Sequence, residues 1–286
     1  MTPEPFAARW QALRNERTSL VLGVQPSSKW LREWAFADDL DGARHFCDVL
    51  LSEAVGRVAA VKIQTPFFER LGPPGMSLLA TFVEECRALG TLTVADAKRG
   101  DASDCMAALA AAHVADAMTA AAFMGFESLR PACEIAARSG ASVFVVVRTS
   151  DPGSEPIQTA ATAGGSSVSQ WLADEITATN EALAPDAPVG PVGGVVGAGA
   201  EEARDLLRRM PRSLVSLPGL GRPGRTLEQF EQAAAEARER VLLPITSGLL
   251  SAGPGGLRKR VEEWKDALAA SALGRREEPR LAVGRS

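Results

Sequence analysis

Eight short apolar runs punctuate the chain, at 19–24, 58–63, 92–95, 115–120, 142–147, 189–196, 214–217 and 241–245. Each is followed by a stretch in which apolar residues recur at helical spacing: 38–56, 75–89, 103–113, 126–138, 167–183, 200–209, 227–239 and 256–271. The run at 142–147, Ser-Val-Phe-Val-Val-Val, is the strongest, β-branched and aromatic throughout, as in a strand buried on both faces. Glycines punctuate the helical stretches, Gly90 after the second and Gly140 after the fourth. A further amphipathic helix is expected over 6–17, with Phe6, Trp10 and Leu13 on one face. Strand and helix alternating in this way predict a parallel sheet. Eight units in one chain fit a closed (β/α)8 TIM barrel of a single domain, with a doubly wound open sheet as the competing arrangement. The expected boundaries are a helical extension over 1–17, a barrel over 18–272 and a charged, disordered tail over 273–286.

Composition narrows the function classes. Of 286 residues, 46% are hydrophobic and 23% charged, enough for a large core. A net charge of -4 argues against a nucleic-acid partner. No apolar run reaches the ~18–20 residues of a membrane span, and the N-terminus lacks the basic-then-apolar pattern of a secretory signal. The expected location is therefore the cytoplasm. Four scattered cysteines, Cys47, Cys86, Cys105 and Cys133, form no CxxC and are expected as buried or semi-buried free thiols. With two histidines, His45 and His113, and no tyrosine, neither a His-based metal site nor a Ser-His-Asp triad is expected.

Candidate chemistry concentrates at 94–101, Val-Ala-Asp-Ala-Lys-Arg-Gly-Asp. Asp96 and Lys98 stand at the end of the third strand and Asp101 in the loop beyond; Lys62 ends the second strand. In a barrel, reactive groups gather at the C-terminal strand ends, so Lys62, Asp96 and Lys98 are expected to converge. Alternating signs let each carboxylate keep a lysine protonated and each lysine keep a carboxylate ionised. Such an array suits a reaction that builds negative charge on carbon, with an ammonium to stabilise it and deliver a proton. A solvated salt-bridge network is the plainer alternative. Two loops are further candidates. In 218–225, Gly219, Gly221, Arg222 and Arg225 could receive a phosphate, or form a tight turn with surface arginines. In 148–153, Ser150 could hydrogen-bond a ligand, or the loop could only end its strand.

The segment Asp96-Ala97-Lys98-Arg99-Gly100-Asp101 resembles the signature of the orotidine 5′-phosphate decarboxylase family. Val61-Lys62 before Phe67-Phe68-Glu69, Leu22-Gly23-Val24-Gln25-Pro26, Arg148-Thr149-Ser150-Asp151-Pro152-Gly153, Pro218-Gly219-Leu220-Gly221 and Ser251-Ala252-Gly253-Pro254 resemble its other landmarks, in the longer bacterial branch. The resemblance spans about residues 18 to 270. It implies a homodimeric (β/α)8 barrel that converts orotidine monophosphate to uridine monophosphate without a cofactor or metal. It implies that Lys98 donates a proton to C6, that Asp96 sits by the departing carboxylate and that Lys62 contacts the ribose. Asp101 would reach into the partner's site, and Ser150 would meet the pyrimidine.

The departures fall on substrate-gripping positions. Gln25 stands where the family usually has an aspartate that contacts the ribose. Arg222-Pro223-Gly224-Arg225 replaces a glutamine followed by glycines, and Gly248 stands where the family usually has a phosphate-binding arginine. The fourth-strand loop, Ala120-Ala121-Ala122-Phe123-Met124-Gly125, lacks the usual proline and polar residue. Three functions remain open: the decarboxylase itself, with Arg222 or Arg225 as replacement phosphate contacts; a diverged enzyme on another pyrimidine nucleotide or nucleoside, such as one of specialised metabolism; and a non-catalytic nucleotide-binding relative.

Overall fold

A computed structural model describes residues 3–197 and 203–274. The strands β1 (Leu20–Val24), β2 (Ala60–Ile63), β3 (Leu92–Arg99), β4 (Ala117–Ala120), β5 (Ser142–Arg148), β6 (Val192–Val196), β7 (Val215–Ser216) and β8 (Val241–Ile245) pair in parallel, each with the next. β8 returns to β1 through the register Leu20↔Leu243, Val21↔Pro244 and Leu22↔Ile245, closing a barrel with helices outside it. The barrel expectation holds and the open sheet is excluded.

Alternation along each strand sorts the residues into two cores. Leu20, Leu22 and Val24 of β1, with Val61 and Ile63 of β2, face the surrounding helices. Val21, Ala60, Leu92, Val94, Ala117, Phe144, Val195, Leu214 and Leu242 form a second, interior cluster. The N-terminal helix Phe6–Arg17 belongs to this interior. Phe6 and Trp10 are fully buried in it, and the Phe6 ring meets Phe144 edge-on at 5.8 Å. Arg9 ties the same helix to Asp116 at 2.7 Å. The barrel is thus plugged at the N-terminal ends of its strands, and its interior opens toward the C-terminal ends.

The elements depart from expectation mainly at their edges. The second helix begins at Gly72 rather than 75, because Pro73 and Pro74 fit the first turn, where their missing N–H groups have no helical partner. The segment 126–138 starts as a 3-10 turn, Phe126–Leu129, before the helix Arg130–Ser139 with Pro131 in its first turn and left-handed Gly140 ending it. The helix expected over 227–239 stops at Ala233. Of the helix expected over 200–209, Ala203–Arg209 is seen and 200–202 lie outside the described residues, as does most of the predicted tail, from 275 onward. The loop over 151–165 contains a helical turn, Glu155–Gln158. β3 is the consequential difference. It continues past Ala95 to Arg99, so Asp96 and Lys98 are strand residues.

All four cysteines are free; Cys47, Cys86 and Cys133 are buried, whereas Cys105 is exposed, contrary to expectation. No helix among the described residues is long and apolar enough to cross a membrane.

Candidate active site

Lys62 lies two residues beyond the inward-facing Ala60 of β2, and Asp96 and Lys98 two and four residues beyond Val94 of β3. The period of two directs Lys62 and Asp96 into the open end of the barrel, and Lys98 reaches the Asp96 carboxylate across an irregular stretch of β3. Lys62 Nζ donates to Asp96 Oδ2, and Lys98 Nζ donates to Asp96 Oδ1 at 2.7 Å. Thr119 of β4 donates its hydroxyl to the same Oδ1 at 2.9 Å. The carboxylate is thus held from three sides, by two ammoniums and a hydroxyl. Its side chain is 2% exposed and that of Lys62 11%, whereas Lys98 is 49% exposed toward the opening.

The local pairing of β3 explains how two nearby residues serve one carboxylate. Ala95 pairs with Met118, but the next paired residues are Arg99 and Ala120. Three residues of β3 thus pass a single residue of β4, Thr119. This irregularity re-aims the strand, as bulges do beside active sites. Lys98 takes φ +49° there, a left-handed conformation unusual for a side-chain-bearing residue.

Charge balance sets the ionisation. Burial is the largest influence on Lys62 and pulls its pKa below the ordinary lysine value against the attraction of Asp96; Lys98 and Arg222 add to the lowering. Burial alone would raise the Asp96 carboxyl, but the charges and hydrogen bonds of Lys62 and Lys98 prevail and hold it below the usual carboxylate range. Asp96 is therefore ionised at neutral pH.

A cavity of about 390 Å³ opens over this cluster. Gln25 and Lys29 from the β1 end, Ser150 and Asp151 from the β5 end, Gly219 and Arg222 from the β7 loop, and Thr246 and Ser247 after β8 line it with Lys62, Asp96 and Lys98. Gln25 Oε1 accepts from Gln64 Nε2 at 3.3 Å, which leaves the Gln25 amide N–H groups to donate elsewhere. Four cationic side chains, Lys29, Lys62, Lys98 and Arg222, face two carboxylates, Asp96 and Asp151. The excess of positive charge suits an anionic ligand.

Three expected site residues do not join this cavity. Asp101 is exposed beyond the end of β3 and accepts from the Ala102 N–H, so within one chain the charged array has three members rather than four. Arg225 lies beyond the turn that carries Arg222, its N–H donating to the Arg222 carbonyl, and does not line the cavity. Gly221 is turned away as well, packed against Gly248. Lys29, Gln64, Thr119 and Asp151 are the residues the sequence did not single out. Lys29 was hidden because the helix that carries it, Ser28–Glu33, is short and begins directly after the Gln25-Pro26-Ser27 turn. Thr119 was hidden because its strand was weakly patterned.

The geometry agrees with the comparisons. Residues 36–249 match the model of the Orotidine 5′-phosphate decarboxylase / HUMPS family. The orotidine 5′-phosphate decarboxylase of Myxococcus xanthus (strain DK1622) is 36% identical over 270 residues, covering 91% of this chain and 94% of its own. That of Streptomyces coelicolor is 36% identical over 260 residues, covering 88% of this chain and 91% of its own. Among solved structures, a Streptomyces avermitilis protein provisionally assigned the same activity superposes with a TM-score of 0.88 at 32% identity, covering 94% of this chain and 96% of that one.

Proposed function

The chain belongs to the orotidine 5′-phosphate decarboxylase family, and from that membership and its site we infer that it decarboxylates orotidine 5′-monophosphate to uridine 5′-monophosphate. The observation that carries this reading is a half-exposed Lys98 ammonium bonded to a buried, ionised Asp96 at the floor of a cation-rich cavity.

The site supports a specific set of roles under this reading. The substrate carboxylate sits against Asp96, and the C6–carboxyl bond breaks with its electron pair left on C6. CO2 leaves. Lys98 stabilises the developing carbanion and gives C6 a proton, then regains one from solvent. Lys62, bonded to Asp96, keeps that carboxylate ionised and faces the ribose. Gln25, its carbonyl engaged by Gln64, offers N–H groups to a ribose hydroxyl in place of a charged acceptor. Ser150 lies at the mouth for the pyrimidine edge. The phosphate goes to Arg222 and Lys29, with Gly219 lining the same wall, because these are the cations away from the reacting pair.

We further propose a homodimer with Asp101 completing the partner's site. Gly100 lies against the Ala121 carbonyl, so Asp101 shares a rim with Phe123 and Met124, which are 87% and 58% exposed. Large exposed apolar side chains of this kind mark contact surfaces. The free cysteines accord with a cytoplasmic location.

The test is incubation of the purified protein with orotidine 5′-monophosphate in D2O. Uridine 5′-monophosphate carrying deuterium at C6 is expected, with turnover lost in Lys98→Ala. A wild-type protein that leaves the substrate intact, or a Lys98→Ala variant as active as wild type, overturns the reading.

A further inference from the structure

Thr119 spends both of its hydrogen bonds on the reacting pair. Its hydroxyl donates to Asp96 Oδ1 at 2.9 Å, and its oxygen accepts the backbone N–H of Lys98 at 2.9 Å. The direction is fixed. An ionised carboxylate only accepts, so the hydroxyl hydrogen must point to Asp96 and its lone pair to Lys98. Thr119 is fully buried, facing the interior in a small pocket with Lys62, Phe144 and Pro244, so water does not compete for either bond.

The main-chain bond answers a need that the strand pairing creates. Where β3 passes β4 with its surplus residues, Lys98 has no cross-strand partner in the register. Its N–H would be left unpaired, and its φ of +49° would be unsupported. The Thr119 oxygen supplies the missing acceptor. One side chain thereby holds the proton donor by its backbone and the carboxylate by its Oδ1, the same oxygen that the Lys98 ammonium contacts at 2.7 Å.

We propose that Thr119 is a positioning residue for proton delivery: it clamps the Lys98 backbone in its left-handed conformation and aligns Asp96, so that the Lys98 ammonium points into the cavity. This rests on the decarboxylase reading above. Because Thr119 acts through Lys98 and Asp96 and stays beneath the cavity, its loss strikes the chemical step more than substrate capture.

The test compares Thr119→Val, which keeps the shape and removes the hydroxyl, with Thr119→Ser, which restores it. For Thr119→Val, kcat for orotidine 5′-monophosphate is expected to fall by about 30–100-fold with KM within about threefold, the scale of an ångström-level misplacement. Thr119→Ser is expected to recover kcat to within about threefold of wild type. Thermal melts check folding, and Thr119→Ala replaces the valine variant if that variant does not fold. A hydroxyl-free variant with near wild-type kcat, or a serine variant as impaired as it, overturns the proposal. Should the wild type leave orotidine 5′-monophosphate untouched, the decarboxylase reading alone fails, and crystal structures of wild type and variant decide. Lys98 leaving the left-handed region and losing Asp96 in the variant supports the clamp; an unchanged Lys98 overturns it.

Discussion

Gly221 and Gly248 pack backbone to backbone. A methyl group built on Gly248 would lie 3.0 Å from the Gly221 Cα, and one on Gly221 would lie 3.1 Å from the Gly248 Cα. The loops after β7 and β8 are thereby joined, and a side chain at position 248 would be crowded by Gly221 and Ile245. Gly248→Ala is expected to cost about 1–3 kcal/mol by overpacking, read as a lowered thermal midpoint. Gly248→Arg is expected to separate the loops rather than restore a phosphate contact, which shows as a loss of both stability and kcat/KM.

Arg222 and Arg225 were equal candidates by sequence and are unequal in the fold. Arg222→Ala is expected to lower kcat/KM for orotidine 5′-monophosphate by about 10–100-fold, the worth of a charge-assisted phosphate contact of ~1.4–3 kcal/mol. The rate with the unphosphorylated nucleoside should stay unchanged. Arg225→Ala should leave both rates near wild type. Steady-state kinetics on the two substrates reads the difference.

Asp96 and Lys98 should separate stability from activity. Asp96→Asn removes the counter-charge of the buried Lys62 and is expected to cost about 3–5 kcal/mol in denaturant melts as well as abolishing turnover. Lys98→Ala removes a half-exposed ammonium, and its melt should lie near wild type while turnover falls by at least ~100-fold. Equal destabilisation by both would contradict the assigned burial.

Asp101 predicts complementation between inactive chains. In a mixture of Lys98→Ala and Asp101→Ala, a mixed dimer holds one site with an intact Lys62, Asp96 and Lys98 and the partner's Asp101. If the chains exchange statistically, activity should recover to about a quarter of wild type, as a two-fold interface requires. No recovery in mixtures shown by mass spectrometry to contain mixed dimers would remove Asp101 from the partner's site.

Asp116 sets part of the acid limb of stability. Burial would raise its carboxyl, but the hydrogen bonds from Arg9 and Thr93 hold it below the usual range. Its folded pKa thus lies under the unfolded value of ~3.9, so its contribution is fully present above that pH and is lost as pH falls through the lowered value. Asp116→Asn is expected to cost about 1.5–3 kcal/mol at pH 7, since these bonds involve charged groups. The gap from wild type should narrow in urea melts as pH drops below ~3.9.

Much of this protein was legible in the sequence. The eightfold alternation of short apolar runs with helical stretches specified the barrel, because apolar periodicity is a local property set by which face each element must bury. The apolar runs also put Lys62, Asp96 and Lys98 at the ends of two neighbouring strands, so their convergence could be expected without a structure. Strand pairing decided the rest. How far β3 runs ahead of β4 depends on contacts between residues more than twenty positions apart, so no local pattern reveals that Thr119 would hold both Asp96 and the Lys98 backbone. The direction of Asp101, the turn that separates Arg222 from Arg225 and the Gly221–Gly248 contact also arise where loops meet in space. The sequence by itself thus determined the barrel and the charged groups at its mouth, and the tertiary structure decided how those groups are aimed and which loop residues line the cavity, because both depend on contacts between distant segments.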